Sequence, residues 1–298
     1  MGRSTVPALM LPTLSIVTPS FRQLDWLKLC AASIADQPGV QAEHLVQDAG
    51  TGAEMQQWAA EWKARCEKGD GKFAFHLTME RDDGMYDAVN RGLRRATGEV
   101  LAYLNCDEQY LPGALERVAQ FFEENPTVDL AFGHSLVVDP NGKFIAFRKA
   151  ILPEKIHTWV SRNLAILTCS TFFRRRVLDE HGLFFDTKFK DLGDGNWVMR
   201  ALDLRLHMGV LPFFTSSFAE SGENRNMAPT ALREKDAMVA SAPAWARALR
   251  PGIIAHYRLR KWWHGAYRQA PFDYAIYTAR SPQERVTFHV AQPSYRWR

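Results

Sequence analysis

The stretch ERDDGMYDAVNRGLRRATGEVLAYLNCDE, Glu80 to Glu108, carries three structural signals in a row. Asp82-Asp83-Gly84 is a turn signal. Tyr86, Val89, Leu93 and Ala96 then recur every three or four residues, the pattern of a helix with one buried face. Gly98 ends that helix, as glycine often does just past a C-terminus. Val100 to Leu104 is a short apolar run suited to a strand covered on both faces. The run stops at Asn105-Cys106-Asp107-Glu108. In open α/β sheets ligands gather outside the C-terminal strand ends. Carboxylates there suit a hard divalent cation that keeps few protein ligands and shares substrate phosphates.

The chain before this stretch repeats the same alternation. Leu14 to Thr18 is a β-branched-rich run ended by Pro19-Ser20 and reads as the first strand. Leu24 to Asp36 reads as a helix with Leu24, Leu27, Cys30, Ala31 and Ile34 on one side. Glu43 to Asp48 is a second strand, followed by the Gly-rich turn Ala49-Gly50-Thr51-Gly52. Strand, helix and strand make a right-handed βαβ unit, so both strand ends meet one edge. Ala53 to Cys66 is a helix whose Trp58 and Trp62 form a packing face, and Phe73 to Leu77 is a third strand. Farther on, Ala114 to Glu124 is a helix, and Asp129–Gly133 and Leu136–Asp139 are two strand signals. Pro140 to Lys143 is a hairpin turn, and Phe144 to Phe147 returns. Phe213 to Met227 reads as a polar loop over the site.

Composition bounds the class. The 298 residues suffice for one sizeable core, or one domain with an extension. Hydrophobic residues at 46% and charged residues at 23% are ordinary for a globular chain. Cys30, Cys66, Cys106 and Cys169 show no metal-ligand spacing, which excludes a zinc framework and fits free thiols in a reducing cytoplasm. The first twenty residues, broken by Pro7 and Pro12, make a poor signal peptide. No apolar run approaches the roughly 18 residues of a membrane span.

The motifs resemble those of family 2 glycosyltransferases with the glycosyltransferase-A (GT-A) fold. The resemblance rests on Asp83-Gly84-Met85-Tyr86-Asp87-Ala88-Val89-Asn90-Arg91-Gly92, on Ala96-Thr97-Gly98-Glu99, on Leu104 to Glu108, and on Ser15-Ile16-Val17-Thr18-Pro19-Ser20-Phe21. It covers most of residues 12–230 and implies a Rossmann-like mixed sheet flanked by helices. It implies further that Pro19 and Asp48 line a nucleotide-base pocket, where a carboxylate can accept the ring N–H of uracil. Asp83, Asn90, Asn105 and Asp107 fall on donor-side positions, and Arg91 or Arg94 could face phosphate through paired hydrogen bonds. Arg95 reads as a solvated helix position, and Gly92 as a point of close backbone approach. Asp107, with Glu108 beside it, is the candidate ligand for manganese or magnesium. Glu108 departs from the family's usual Asp, and Asn105 stands in the first place of the Asp-x-Asp motif. His134 stands after Gly133 where Asp is common, and Thr168-Cys169 stands where relatives carry His-Gln, so acceptor choice differs.

A second chemical centre is Lys190-Asp191-Leu192-Gly193-Asp194-Gly195-Asn196-Trp197-Val198-Met199-Arg200. The resemblance aligns Asp194 with the family's Asp at a helix start. An inverting transfer needs a base for the acceptor hydroxyl, and a carboxylate at a helix N-terminus is held by backbone N–H groups. Asp191 is the rival base, with Glu220 and Glu223 weaker ones. The plainer reading of Asp194 is a helix cap.

The last third, 231–298, changes character. Arg258, Arg260 and Lys261 mix there with Tyr257, Trp262 and Trp263, and Asp273 and Glu284 are the acids from Arg247 onward. Such a mixture suits an anionic membrane interface, and a lipid-linked or glycan-precursor acceptor would explain it. The alternative is that the aromatics pack this extension onto the core or a partner subunit. No nucleic-acid recognition motif accompanies the basic residues, so no nucleic acid is expected. The expected protein is thus a cytoplasmic or membrane-face enzyme moving a sugar from a nucleotide sugar, UDP-linked by resemblance, to a hydroxyl. A same-fold nucleotidyltransferase would want a Gly-rich basic loop after the first strand, which Pro19-Ser20-Phe21 is not. A non-catalytic nucleotide-sugar-binding or membrane scaffold is the alternative from another class.

Overall fold

A computed structural model describes residues 11–162, 164–220 and 228–297. The first half alternates strictly. β1 (Leu14–Ser20), β2 (Ala42–Asp48) and β3 (Phe73–Met79) are separated by α1 (Leu24–Ala35) and α2 (Ala53–Glu67). α3 (Met85–Arg95) then leads into β4 (Val100–Tyr103). β1 pairs in parallel with β2 and β4, and β2 in parallel with β3. Ser20, Asp48, Met79 and Tyr103 therefore end along one edge, and the acidic tip follows β4 directly.

α3 shows how the sequence builds this edge. Gly84 has φ of +116°, which favours glycine, and lets the chain turn into the helix. The Asp83 and Gly84 N–H groups donate to Asp87 (3.1 Å) and Asp82 (3.0 Å), which sets the first turn. Tyr86, Val89 and Leu93 are buried, each side chain contributing about 1.5–3 kcal/mol relative to exposure. Gly92 lies against β1, where a Cβ would stand 2.3 Å from Val17 Cγ1. The expected close approach is real, and it is to a side chain of the central strand.

The second half continues with β5 (Glu108–Tyr110), α4 (Ala114–Glu124), β6 (Leu130–Val138), β7 (Phe144–Arg148) and α5 (Lys155–Ser161). β8 (Thr171–Arg174), α6 (Arg176–Asp179), α7 (Gly193–Asp203) and β9 (Met208–Ala219) follow. The nine-stranded mixed sheet runs β3-β2-β1-β4-β8-β6-β9-β5, with β7 on β6. β8 is antiparallel to both β4 and β6, and β9 is parallel to β6. Two expectations are corrected here. The two strand signals at 129–139 form one strand, because Gly133 lets Thr215 of β9 approach where a Cβ would stand 2.4 Å from it. The bulge this entails is a register shift around His134. The loop expected from Phe213 is strand as far as Ala219; its residues 221–227, Glu223 included, lie outside the described residues.

The C-terminal third forms α8 (Pro229–Ser241), α9 (Ala244–Ala248), α10 (Arg250–Trp263) and a hairpin, β10 (Phe272–Thr278) and β11 (Ser281–Val290). The hairpin was not expected from sequence. It is fastened to the sheet by Tyr277, which exchanges hydrogen bonds with Gln109 at 2.9 Å each way. Arg285 adds an ion pair to Asp36 and donates to the Tyr110 carbonyl at 2.9 Å. Tyr257, Tyr274 and Tyr277 are buried, whereas Trp262 and Trp263 remain 54% and 79% exposed. Packing thus claims part of the aromatic content and leaves part of it in solvent. Among the described residues no helix is long and apolar enough to cross a membrane.

Candidate active site

The acidic tip is a tight turn closed on itself. The Glu108 N–H donates to the Asn105 carbonyl (3.1 Å), and the Asn105 N–H donates to Glu108 Oε2 (2.7 Å). The Cys106 thiol donates to the Pro19 carbonyl (3.3 Å), tying the tip to the end of β1. Glu108 is only 2% exposed, while Asp107 is half-buried. Burial pushes both carboxyls above the usual carboxylate range, and the charge of Asp107 adds to the effect on Glu108. No Lys or Arg among the described residues forms an ion pair with either. Carboxylates that are desolvated without a counter-charge are relieved by a cation, and their oxygens are the hard donors that Mg²⁺ and Mn²⁺ take. The donor set therefore fits such an ion, with Asp107 as the accessible ligand. Glu108, expected beside it as a ligand, sits inward and braces the tip through Asn105.

The second carboxylate arrives on α7. Asp194 stands in the first helical turn, and its Oδ1 accepts the Gly195 N–H at 2.7 Å. Its Oδ2 takes no hydrogen bond among the described residues. Burial pushes Asp194 up to about 6, against the Gly195 N–H, which favours the ionised form. Its charge is close enough to raise Glu108 further. Tyr86 joins the two centres: its hydroxyl accepts the Asp194 N–H (3.2 Å) and donates to the Asp191 carbonyl (3.4 Å). The rival Asp191 has its Oδ2 engaged by the Thr230 hydroxyl.

Glu234 of α8 escaped the sequence reading. Its carboxylate accepts three successive backbone N–H groups, from Lys190 (2.8 Å), Asp191 (3.1 Å) and Leu192 (2.7 Å). It caps the start of α7 from outside, where Leu192 offers no side-chain cap. Lys190 in turn donates from Nζ to the Asp83 carbonyl at 3.1 Å, closing the Asp83 turn onto the same loop. Thr230 and Glu234 stand one helical turn apart on α8, the only local signal they offer.

Several residues expected on the donor side also hold local structure. Asp48 is fully buried and accepts hydrogen bonds from Gly50 N (2.9 Å), Thr51 N (2.6 Å) and Thr51 Oγ1 (2.6 Å). It closes its turn, and its carboxylate is not presented to a base in this conformation. Asn90 is 3% exposed and exchanges both amide groups with the Phe185 backbone (2.8 and 2.9 Å). Arg91 pairs with Asp87 (2.9 Å) and Glu80 (3.3 Å). Arg94 lies over the Phe184 ring, and Arg95, partly exposed, bonds Gln47 and Glu80. Asp83 is exposed and Pro19 half-buried at the edge. His134 accepts the Ala150 N–H (3.2 Å), and burial lowers it to about 4, a neutral structural imidazole. Glu220 accepts the Trp297 indole N–H. Among the described residues the one three-membered group with metal-ligand spacing, Glu154, His157 and His256, lies between α5 and α10, apart from the tip.

A mixed sheet whose parallel half delivers carboxylates to one edge, faced by a further carboxylate on a helix, is the GT-A glycosyltransferase architecture. TarS residues 1–349 of S. aureus, crystallised with UDP-GlcNAc, shares this fold at a TM-score of 0.60 and 17% identity, over 84% of this chain and 72% of that one. The mannosyltransferase PcManGT of Pyrobaculum calidifontis, in complex with GDP-Man and Mn²⁺, shares it at 0.52 and 17%, over 86% and 84%. A PGL/p-HBAD biosynthesis glycosyltransferase of Mycobacterium bovis (strain BCG / Pasteur 1173P2) is 31% identical over 131 residues, 44% of this chain and 49% of its own length. The chain spans between about a quarter and a half of the length of the curated relatives it matches. The family model for glycosyl transferase family 2 matches residues 15–183. The chain belongs to glycosyl transferase family 2.

Proposed function

We propose that the protein transfers a sugar from a nucleotide sugar, UDP-linked in the first instance, to an acceptor hydroxyl with inversion at the anomeric carbon. The observation that supports this most directly is Asp194. A carboxylate with a raised pKa and one free oxygen, held beside a second carboxylate pair, is costly to keep and is what a general base for a hydroxyl requires. Asp194 Oδ2 would take the hydroxyl proton, while Tyr86, Gly195 and the Glu234-anchored loop hold the carboxylate in place. Asp107 would hold Mn²⁺ or Mg²⁺, with Glu108 bracing the turn that presents it. Such an ion, when bound, supplies charge neutralisation for the diphosphate leaving group. Asp83 and Pro19, at the same edge, would contact the donor.

The test is hydrolysis of a panel of nucleotide sugars with added Mn²⁺ or Mg²⁺, comparing wild type with Asp107→Ala and Asp194→Asn. Slow hydrolysis lost in Asp107→Ala is the expected result. Donor binding without turnover in any combination, and indifference to Asp194→Asn, would favour a non-catalytic nucleotide-sugar-binding protein.

We infer also that α9 and α10 meet an anionic membrane surface. Trp245, Leu249, Leu259, Trp262 and Trp263 are each more than half exposed. No Asp or Glu occurs between Asp236 and Asp273, a segment that carries six Lys and Arg residues from Arg247 to Arg268. Exposed aromatics amid basic residues suit a headgroup layer, which supports a contact with the cytoplasmic face of a membrane.

A further inference from the structure

Two half-buried cations have no anion to meet. Arg148 ends β7, and Lys261 projects from α10 toward it. Aromatic rings flank both. The Arg148 guanidinium lies 5.2 Å from the Trp297 ring centroid, and Lys261 Nζ lies 5.5 Å from Tyr257 and 5.4 Å from Tyr267. The Tyr295 ring lies against Tyr267, tilted, with centroids 4.7 Å apart. Among the described residues neither cationic group has an ion pair or a side-chain hydrogen bond. Nearby acids are engaged elsewhere: Glu220 with the Trp297 indole, and Glu154 with Arg260 at 3.0 Å. Burial depresses both cations, and the charge of Arg148 further depresses Lys261, which falls to about 8. Five guanidinium donors and three ammonium donors thus lie within electrostatic reach of one another with no side-chain acceptor bonded to either among the described residues, a place an anion would complete.

The place is near the reacting edge. Arg148 is the direct partner of Ser135 on β6, Ser135 of Ser216 on β9, and Phe218, two residues on, of Glu108. Direct partners, and residues two apart on one strand, project to one face. Arg148 therefore lies on the face that carries Glu108. Trp297 spans the interval, its ring 5.5 Å from Phe218. Between them the floor is a hydroxyl cluster in which Ser170 shares hydrogen bonds with Ser135 (2.6 Å) and Ser216 (2.5 Å).

We propose that Arg148 and Lys261, in their cage of Tyr257, Tyr267, Tyr295 and Trp297, bind a phosphate group carried by the acceptor. This rests on the glycosyl-transfer reading and adds the acceptor's chemistry to it. A guanidinium fork grips phosphate through paired hydrogen bonds, and the ammonium adds a point charge. The rings exclude water and strengthen both contacts. A phosphate seated there is one ring's breadth from the strand pair that carries Glu108, so a hydroxyl farther along the same acceptor faces the carboxylate edge. Lys261 points inward while its neighbours Trp262 and Trp263 point to solvent, so a soluble phosphate ester and a lipid phosphate are both sterically compatible sources.

The test is calorimetric titration of glycerol 3-phosphate, with glycerol as the uncharged control, into the full chain saturated with UDP and Mg²⁺. Saturable binding of glycerol 3-phosphate and none of glycerol is expected. Arg148→Gln and Lys261→Gln should each weaken it about tenfold or more, and Arg148→Lys should recover part of the loss. A UDP titration of every variant checks that it is folded. If UDP binds the wild type but glycerol 3-phosphate does not, or binds the Gln variants equally well, the phosphate site is refuted and the donor site stands. If UDP itself fails to bind the wild type, the glycosyl-transfer reading fails and this inference falls with it. Vesicles of phosphatidic acid in phosphatidylcholine form the second arm. Displacement of glycerol 3-phosphate by them identifies a lipid phosphate, and its absence a soluble one.

Discussion

The hydroxyl of Tyr86 accepts the backbone N–H of Asp194 at 3.2 Å, across 108 residues of sequence. The contact requires Gly193, because a Cβ at that position would stand 2.5 Å from the Tyr86 ring. A tyrosine on the donor-side helix thereby sets the start of α7, and with it the carboxylate proposed as base. Tyr86→Phe keeps the ring packing against Phe185 and removes only the hydroxyl. Two hydrogen bonds are lost, to the Asp194 N–H and the Asp191 carbonyl, at about 1 kcal/mol each, which should lower kcat several-fold or more, with the KM for donor nearly unchanged. Steady-state kinetics would show it; an equal loss in donor affinity would mean that Tyr86 shapes the donor pocket instead.

The pH dependence follows from Asp194. Its carboxyl is raised from 3.8 to about 6 by burial, so the folded chain binds this proton more tightly than the unfolded chain does. The resulting stabilisation is complete below pH 3.8 and is lost as pH rises through about 6. The base is competent only above that same value. kcat/KM should therefore rise with pH through about 6. Asp194→Asn, which cannot ionise, should abolish transfer yet be more stable than wild type at pH 8, by on the order of 2 kcal/mol. Urea unfolding at pH 5 and pH 8 measures the difference, which should shrink toward the acid side.

The parallel half of the sheet was legible because each element announces itself locally. Tyr86, Val89 and Leu93 mark the buried face of α3, and β1, β2 and β4 are apolar runs bounded by turn residues. Gly133 misled, since a glycine inside a strand can mark a close neighbour as readily as a break. The β10–β11 hairpin was missed because Ser281 to Glu284, at the start of β11, reads SPQE and lacks apolar alternation. At the site, Asp107 and Asp194 could be picked out as acids at element boundaries. For Asp48, Asn90 and Arg91 the intramolecular partners, backbone groups or acids, could not be read from sequence, because for Asn90 and Arg91 only the fold brings most of them close. Glu234 was invisible for the same reason: it serves N–H groups more than forty residues away.

Glu234 carries a prediction of its own. Its carboxylate satisfies three backbone donors that otherwise have no partner at the start of α7. Glu234→Gln retains one acceptor oxygen, whereas Glu234→Ala leaves all three N–H groups to water. Because the loop leads directly to Asp194, the cost should fall on kcat more than on donor binding. A decrease of about tenfold for Ala and a smaller one for Gln are expected, from roughly 1 kcal/mol per misplaced hydrogen bond. Kinetics combined with thermal unfolding separates the roles. A shared loss of stability with kcat preserved per folded molecule would make Glu234 a structural cap alone.

The outward face of α10 tests the membrane proposal without touching the site. Trp262 and Trp263 are 54% and 79% exposed, so their replacement by serine removes little packing and should leave the melting temperature nearly unchanged. On the proposed surface each ring enters the headgroup layer, while Arg247 and Arg258, both exposed, face lipid phosphates. The chain should cosediment with phosphatidylglycerol-containing vesicles and far less with pure phosphatidylcholine. Trp262→Ser with Trp263→Ser should weaken that binding about tenfold or more, from the lost aromatic burial. Raising salt should weaken it in wild type as well, since basic contacts are screened within a Debye length of roughly 10 Å at 0.1 M. Vesicle binding that ignores both the tryptophans and salt would move the contact elsewhere on the protein, and its absence at low salt would leave the exposed aromatics to a protein partner.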